Sequence, residues 1–276
     1  MSLNDVVEAI PRKTMVLFFL IDTSGSMSGS KIGAVNAAIE EVIPELKDIS
    51  AGNADAEVKI AALEFSHSAC WITEKGPIPV DSFLWRYVDA GGNTAMGEAC
   101  LKLNDALSTK AFMQEAVGSF APAIFLLSDG EPTDDFSGGL AELKMNNWFK
   151  AAIKVAVAIG DDANKTRLAE FTGSMESVLE VHSAAMLRKM IKFVSVRASQ
   201  VASKSVQVNL VRPSNTALPA AVPAAAVSDP SPATAEDAAV ANAVPGSEAP
   251  SLKQAALNEQ LAQIKTAAEN AGDDEW

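Results

Sequence analysis

Histidine is scarce in this chain: His67 and His182 are the only two among 276 residues. Cysteine is as sparse, with Cys70 and Cys100 far apart and no CxxC pair. A zinc site built from these residue types is therefore not expected, and the two thiols read as reduced, buried small hydrophobes of a cytoplasmic protein. His67 falls in a turn and His182 before a helix, where surface and capping residues sit. Positive charge is also short, 22 Lys and Arg against 35 Asp and Glu, for a net charge of −13. That excess argues against nucleic acid or an anionic membrane as the main partner. About half of it is local, since Pro213 to the end holds nine acidic residues and two basic ones. No run of strongly apolar residues is long enough to cross a membrane. The opening MSLNDVVEAIPRKTM places charges and a proline where a secretory leader needs an apolar stretch.

What is present is ample apolar material, 48% of residues, enough for the core of one α/β domain. The centre of the chain is Met15–Ser30, MVLFFLIDTSGSMSGS. Its apolar run fits a strand buried on both faces, as in the middle of a parallel sheet. Asp22, Ser24 and Ser26 then follow at spacings of two, before a helical pattern over about 30–48 in which Pro44 predicts a kink or an early end. Further along, 58–65 and 69–72 read as a hairpin at a sheet edge, and 90–98 as a glycine-rich loop opening a helix to about 107. A helical piece is expected over 110–117 and a buried strand over 123–127, the latter ended by Ser128-Asp129-Gly130. Helix 139–149, strand 153–159, a short helix over 164–171, strand 178–181 and a long helix over 184–203 complete the pattern. Such alternation implies right-handed crossovers and a doubly wound, mostly parallel six-stranded sheet, with one antiparallel edge strand and helices on both faces.

The organisation is a lead-in over 1–13, a domain over 14–203, a linker over 204–250 and a tail over 251–276. Residues 213–250 are dominated by Ala, Pro, Val and Ser and cannot bury enough surface to fold. In the tail, Leu257, Leu261, Ile264 and Ala268 share one helical face. They suit docking on a partner by helix-in-groove, with the linker holding that partner near the domain.

Three loops carry oxygen side chains at the carboxyl ends of strands, where open α/β sheets bind ligands. Asp22, Ser24 and Ser26 follow the first strand, Thr94 lies in the glycine-rich loop, and Asp129 ends the AIFLLS strand. The strands bearing Asp22 and Asp129 are expected to be neighbours where strand order reverses. Neutral hydroxyls with two carboxylates, and no basic side chain among them, suit a hard cation such as Mg²⁺ better than a phosphate. Read alone, the first turn could instead serve only to cap a helix. Gly25–Lys31 resembles a P-loop only superficially, because Ser30 and Ile32 stand at positions that motif needs for Gly and a hydroxyl. No nucleophile elbow and no placed base are found, so catalysis is not expected; a metal-assisted phosphohydrolase is the least favoured reading. Trp85, Arg86, Tyr87 and Met96 flank the Thr94 loop and are candidates for a partner-facing rim. Asp134 and Asp135 read as solvated loop charges.

Taken together, IDTSGSMSG, GGNTAMGEA and LLSDGEPTDD resemble the von Willebrand factor A (VWA) domain with its metal-ion-dependent adhesion site (MIDAS). Within it, the sequence is most similar to stand-alone bacterial TerY-type proteins of tellurite resistance and chemical stress. The resemblance implies the VWA fold and a non-enzymatic, metal-dependent protein-interaction module. It implies Mg²⁺ (or Mn²⁺ or Ca²⁺) bound directly by Ser24 and Ser26, through waters by Asp22 and Asp129, and either way by Thr94. A partner's Asp or Glu would complete the shell. A scaffold working with a protein kinase and a PP2C-type phosphatase is the role it suggests, with an adaptor for a MoxR or chelatase-type AAA+ ATPase as the alternative.

Overall fold

The computed structural model describes residues 12–115, 118–181 and 183–208, with side chains as far as Val196, and residues 254, 255, 258, 259 and 262 near the C-terminus. The lead-in as far as residue 11, His182, most of the expected linker and the apolar tail face of Leu257, Leu261, Ile264 and Ala268 lie outside the described residues.

Strand β1 (Lys13–Asp22) occupies the middle of the sheet, and every residue from Thr14 onward is buried. Its side chains alternate: Met15, Leu17, Phe19 and Ile21 enter one core layer, and Val16, Phe18 and Leu20 the other. Alternation with both faces apolar is what a strand covered from both sides requires. β1 pairs in parallel with β2 (Ala56–Phe65) on one side and β5 (Ala123–Ser128) on the other. β6 (Ile153–Ile159) and β7 (Val178–Val181) extend the parallel sheet beyond β5. At the opposite edge β3 (Ala69–Trp71) runs antiparallel to β2, giving the order β3-β2-β1-β5-β6-β7. A two-residue strand, β4 (Ile78–Pro79), also pairs antiparallel with β2 in a stretch expected to be loop.

Helix α1 (Ser30–Ala51) and helix α6 (Ala184–Val208) cover one face. They run side by side in the same direction, with Arg188 Nη1 2.6 Å from Glu41 and Lys192 Nζ 3.3 Å from Glu45. The other face is covered by α2 (Met96–Ala106), α3 (Phe136–Met145), α4 (Asn147–Ala151) and α5 (Lys165–Thr172). Among the described residues no helix is long and apolar enough to cross a membrane.

Four local expectations change. Pro44 does not end α1, which continues to Ala51. Pro44 and Glu40, whose carbonyl loses its helical partner, both lie on the exposed side, while Ile39, Val42, Ile43 and Leu46 hold the helix to the sheet. The helix expected over 139–149 is two helices, broken at Asn146, whose carboxamide oxygen accepts from the N–H groups of Trp148 (2.8 Å) and Phe149 (3.4 Å). Its NH₂ meanwhile donates to Asn104 and Leu107, tying the break to the end of α2. The segment after Lys110 is a series of turns as far as Met113; residues 116 and 117 lie outside the described set. Phe112 in that segment packs edge-on against Trp71 at 4.8 Å between centroids. Finally, Cys70 is exposed, because on an edge strand alternate residues face outward; Cys100 is buried as expected.

Candidate metal centre

Each of the three loops follows from its supporting elements. β1 and β5 are adjacent, and β1 also neighbours β2, so the chain leaves the β1 and β5 ends in opposite senses and a crevice opens between them. Asp22 ends β1 inside it. Its Oδ1 accepts from the Ser24 N–H at 2.8 Å, which bends the chain and brings the Ser24 and Ser26 hydroxyls within 3.0 Å of each other. Its Oδ2 accepts from the Ser128 hydroxyl at 2.5 Å, binding the first loop to the third. Ser128 Oγ in turn accepts from the Gly130 N–H at 2.8 Å.

The Thr94 loop is held to both others. Gly91 N–H donates to Thr23 O (2.8 Å) and Gly25 N–H to Gly92 O (3.0 Å), two rungs between first and second loops. Gly92 has φ +86°, a left-handed conformation that favours glycine, and its Cα faces the exposed His67 ring. Upstream, buried Asn36 of α1 clamps the approach, accepting from Trp85 Nε1 and Val88 N–H and donating to Val88 O. Downstream, Thr94 and Thr133 form a reciprocal pair at 3.0 Å: Thr94 N–H to Thr133 Oγ1, and Thr133 N–H to Thr94 O. Asp134 accepts from the N–H groups of Gly97 and Glu98, capping α2, and Asp135 caps α3. These two aspartates are thus structural caps rather than free charges.

All five sequence-predicted residues therefore sit on loops stitched to one another. Asp22, Ser24, Asp129 and Thr94 are 0%, 1%, 3% and 4% exposed; Ser26 stands at the open rim. Burial of the Asp22 carboxylate, reinforced by the nearby Asp129 charge, pushes its pKa up to about 6 against the hydrogen bonds from Ser128 and Ser24. Asp129 Oδ1 is buried with no hydrogen-bond partner. Two desolvated carboxylates, one with an unanswered oxygen beside neutral hydroxyls, form a donor set that fits a hard divalent cation. Among the described residues no group of three or more His, Cys, Asp or Glu offers a competing metal site.

One expectation fails here: a basic side chain does stand at the crevice. Lys31 Nζ lies 3.5 Å from Asp129 Oδ2 and 2.8 Å from Asp162. Burial opposes its charge, yet the Asp162 hydrogen bond and the field of Asp129 hold its pKa above the ordinary lysine value. Its stem crosses Gly160, where a Cβ would meet Lys31 Cε at 2.5 Å. The partners of this lysine are carboxylates, in keeping with the only superficial likeness of Gly25–Lys31 to a P-loop. Ser128 and Thr133 were missed because both act across the fold; adjacency of Ser128 to Asp129 at a strand end was the available signal. Of the candidate rim, Met96 is core, Tyr87 is exposed and bonded to Glu40, and Arg86 lies 3.6 Å from Glu64.

An open, doubly wound α/β domain with an oxygen-lined crevice at its switch point is the class defined by this arrangement. The chain belongs to the von Willebrand factor type A domain family, whose model matches residues 17–193. That family comprises metal-dependent protein-interaction modules. None of the curated proteins compared matches the chain. Solved structures share the fold. A von Willebrand factor type A protein from Catenulispora acidiphila is similar with TM-score 0.50 and 18% identity, covering 68% of this chain and 43% of its own. The pilus adhesin SpaC of Lactobacillus rhamnosus GG gives TM-score 0.51 and 12% identity, covering 68% and 30%. A point mutant of the PilB minor pilin from Streptococcus sanguinis gives TM-score 0.50 and 14% identity, covering 74% and 64%. The chain thus spans less than two thirds of each of these proteins, and at such identities the likeness concerns the fold alone.

Proposed function

We propose that this VWA domain is a non-enzymatic interaction module that holds Mg²⁺, or Mn²⁺ or Ca²⁺ in its place, and presents it to a partner's Asp or Glu. Ser24, Ser26 and Thr94 supply neutral oxygens, and Asp22 and Asp129 hold the ion mainly through water. The single observation carrying this reading is the unpartnered, buried Asp129 Oδ1 beside the desolvated Asp22. The bound cation supplies positive charge that a few neutral donors leave poorly neutralised, and hence attraction for an external carboxylate. The sequence resemblance supports a finer role: a cytoplasmic scaffold in a bacterial tellurite-resistance or stress-signalling system, with a protein kinase and a PP2C-type phosphatase as partners.

Capture from native cells tests it. Partner recovery is expected with Mg²⁺ and lost with EDTA or in Asp22→Ala; equal recovery in all three removes the ion as the link. Lys31 sharpens the test, because a fixed cation beside Asp129 opposes a mobile one. Lys31→Met, which keeps the stem over Gly160, is expected to tighten Mg²⁺ binding by about tenfold, or roughly 1.4 kcal/mol. Calorimetric titration of the purified chain measures this directly.

A further inference from the structure

The pole opposite the metal loops, at the amino ends of the parallel strands, carries a second polar site. β7 begins at Val178, which pairs with Ala156, so among the described residues the first residues of β6 have no strand beyond them. Ile153 N–H donates toward β5, to Pro122 O, and successive residues of a strand address alternate neighbours. The N–H and C=O of Lys154 therefore face the open edge. One side chain takes both: Gln254 Oε1 accepts from Lys154 N–H at 3.1 Å, and Gln254 Nε2 donates to Lys154 O at 3.1 Å.

The pairing extends by one helical turn. Gln254 Nε2 lies 3.0 Å from Ser177 Oγ and 3.1 Å from Asn258 Oδ1. Ser177 Oγ donates to Asn258 Oδ1 at 2.8 Å, and Asn258 Nδ2 donates to Glu176 at 3.3 Å. Ser177 and Asn258 are both buried, and residues 254, 255, 258, 259 and 262 are helical. The Lys154 ammonium turns back on its own domain, donating to Phe149 O and Ala152 O over the Phe149 ring, and leaves the slot to its backbone.

We propose that this edge is a carboxamide-reading slot whose occupant is the chain's own C-terminal helix, recognised through Gln254 and Asn258. The chemistry selects an amide: Lys154 asks for one acceptor and one donor side by side, which a carboxylate or an ammonium cannot provide. Spacing of i and i+4 sets both carboxamides on one helical face. Forty-five residues separate Val208 from Gln254, enough to reach at most about 150 Å fully extended. That reach makes capture by the same molecule the favoured route at ordinary concentrations. The tail expected to dock on a partner is thereby occupied on its own domain, and the metal face plays no part in the contact.

Amide hydrogen exchange on the full chain, followed by NMR, tests this against Gln254→Glu and the double variant Gln254→Ala/Asn258→Ala. The Lys154 amide is expected to be protected in the parent and to exchange about tenfold faster or more in both variants, with Phe18 and Ile124 unchanged as folding controls. Equal exchange of Lys154 in parent and variants overturns the slot. Protection that fades on dilution overturns the intramolecular occupant and assigns the slot to a second copy's tail.

Discussion

Gly139→Ala is expected to lose about 3 kcal/mol of folding stability and, with it, divalent-cation binding. A Cβ at Gly139 would sit 2.4 Å from Gly97 O, 3.0 Å from Gly97 C and 3.1 Å from Gly97 Cα. All three are backbone atoms of a neighbouring helix, so no rotamer change relieves the clash. A Cβ at Gly97 would in turn meet Asp135 O at 2.5 Å. α2 and α3 therefore meet backbone to backbone at their amino ends, directly behind Thr94 and Thr133. Moving them apart breaks the Thr94–Thr133 pair and draws the Asp134 carboxylate from the first turn of α2. Denaturant unfolding gives the stability loss, and calorimetry with Mg²⁺ gives the functional one. Gly33→Ala is the contrast: an exposed helical glycine with nothing within 4 Å of the added carbon. It should stabilise by up to about 1 kcal/mol.

Asp22→Asn is expected to act in opposite directions with and without metal. In the ion-free protein the carboxylate is buried with its pKa near 6, against an ordinary 3.8. Folding therefore favours the protonated form. The contribution of this group is fully present below pH 3.8 and is lost as pH rises through about 6, a change of about 3 kcal/mol. Asparagine resembles the protonated acid, so in EDTA at pH 7 the variant should unfold later than the parent, by up to about 3 kcal/mol, with the difference vanishing near pH 4. Saturating Mg²⁺ should reverse the order, because ligand binding to the native state stabilises only the parent. Paired denaturant melts at the two pH values, with and without Mg²⁺, give all four quantities. A variant that gains as much from Mg²⁺ as the parent removes Asp22 from the metal's surroundings.

Much of this was legible in one dimension. MVLFFLI, AIFLL and IKVAVAI declare strands buried on both sides because no half-exposed strand tolerates such runs, and loops at their carboxyl ends inherit the ligand positions. Fold class and the meeting of the Asp22, Thr94 and Asp129 loops followed from that. What was hidden depends on partners remote in sequence. Lys31 reads as the first turn of a helix until Asp129 and Asp162 arrive from the ends of β5 and β6. Ser128 reads as one more strand residue until Asp22 is beside it. Pro44 and Asn146 misled in opposite ways, for packing carried a helix through a proline, and a polar side chain split a helix that periodicity alone joined. Gln254 and Asn258 are ordinary polar residues until the backbone of Lys154 and the Ser177 hydroxyl give them a task.

The parallel course of α1 and α6 has a geometric corollary. α1 starts at the cation loops, and the pairing of Arg188 with Glu41 sets the start of α6 about two turns further down the sheet; at 1.5 Å per residue the 25 residues of α6 then carry the chain some 37 Å from where that helix began. The polypeptide thus exits at the end farthest from the metal mouth. Cargo fused or bound beyond Val208 starts on the reverse side from anything gripped at Ser26, and two large bodies could be spanned at once without colliding.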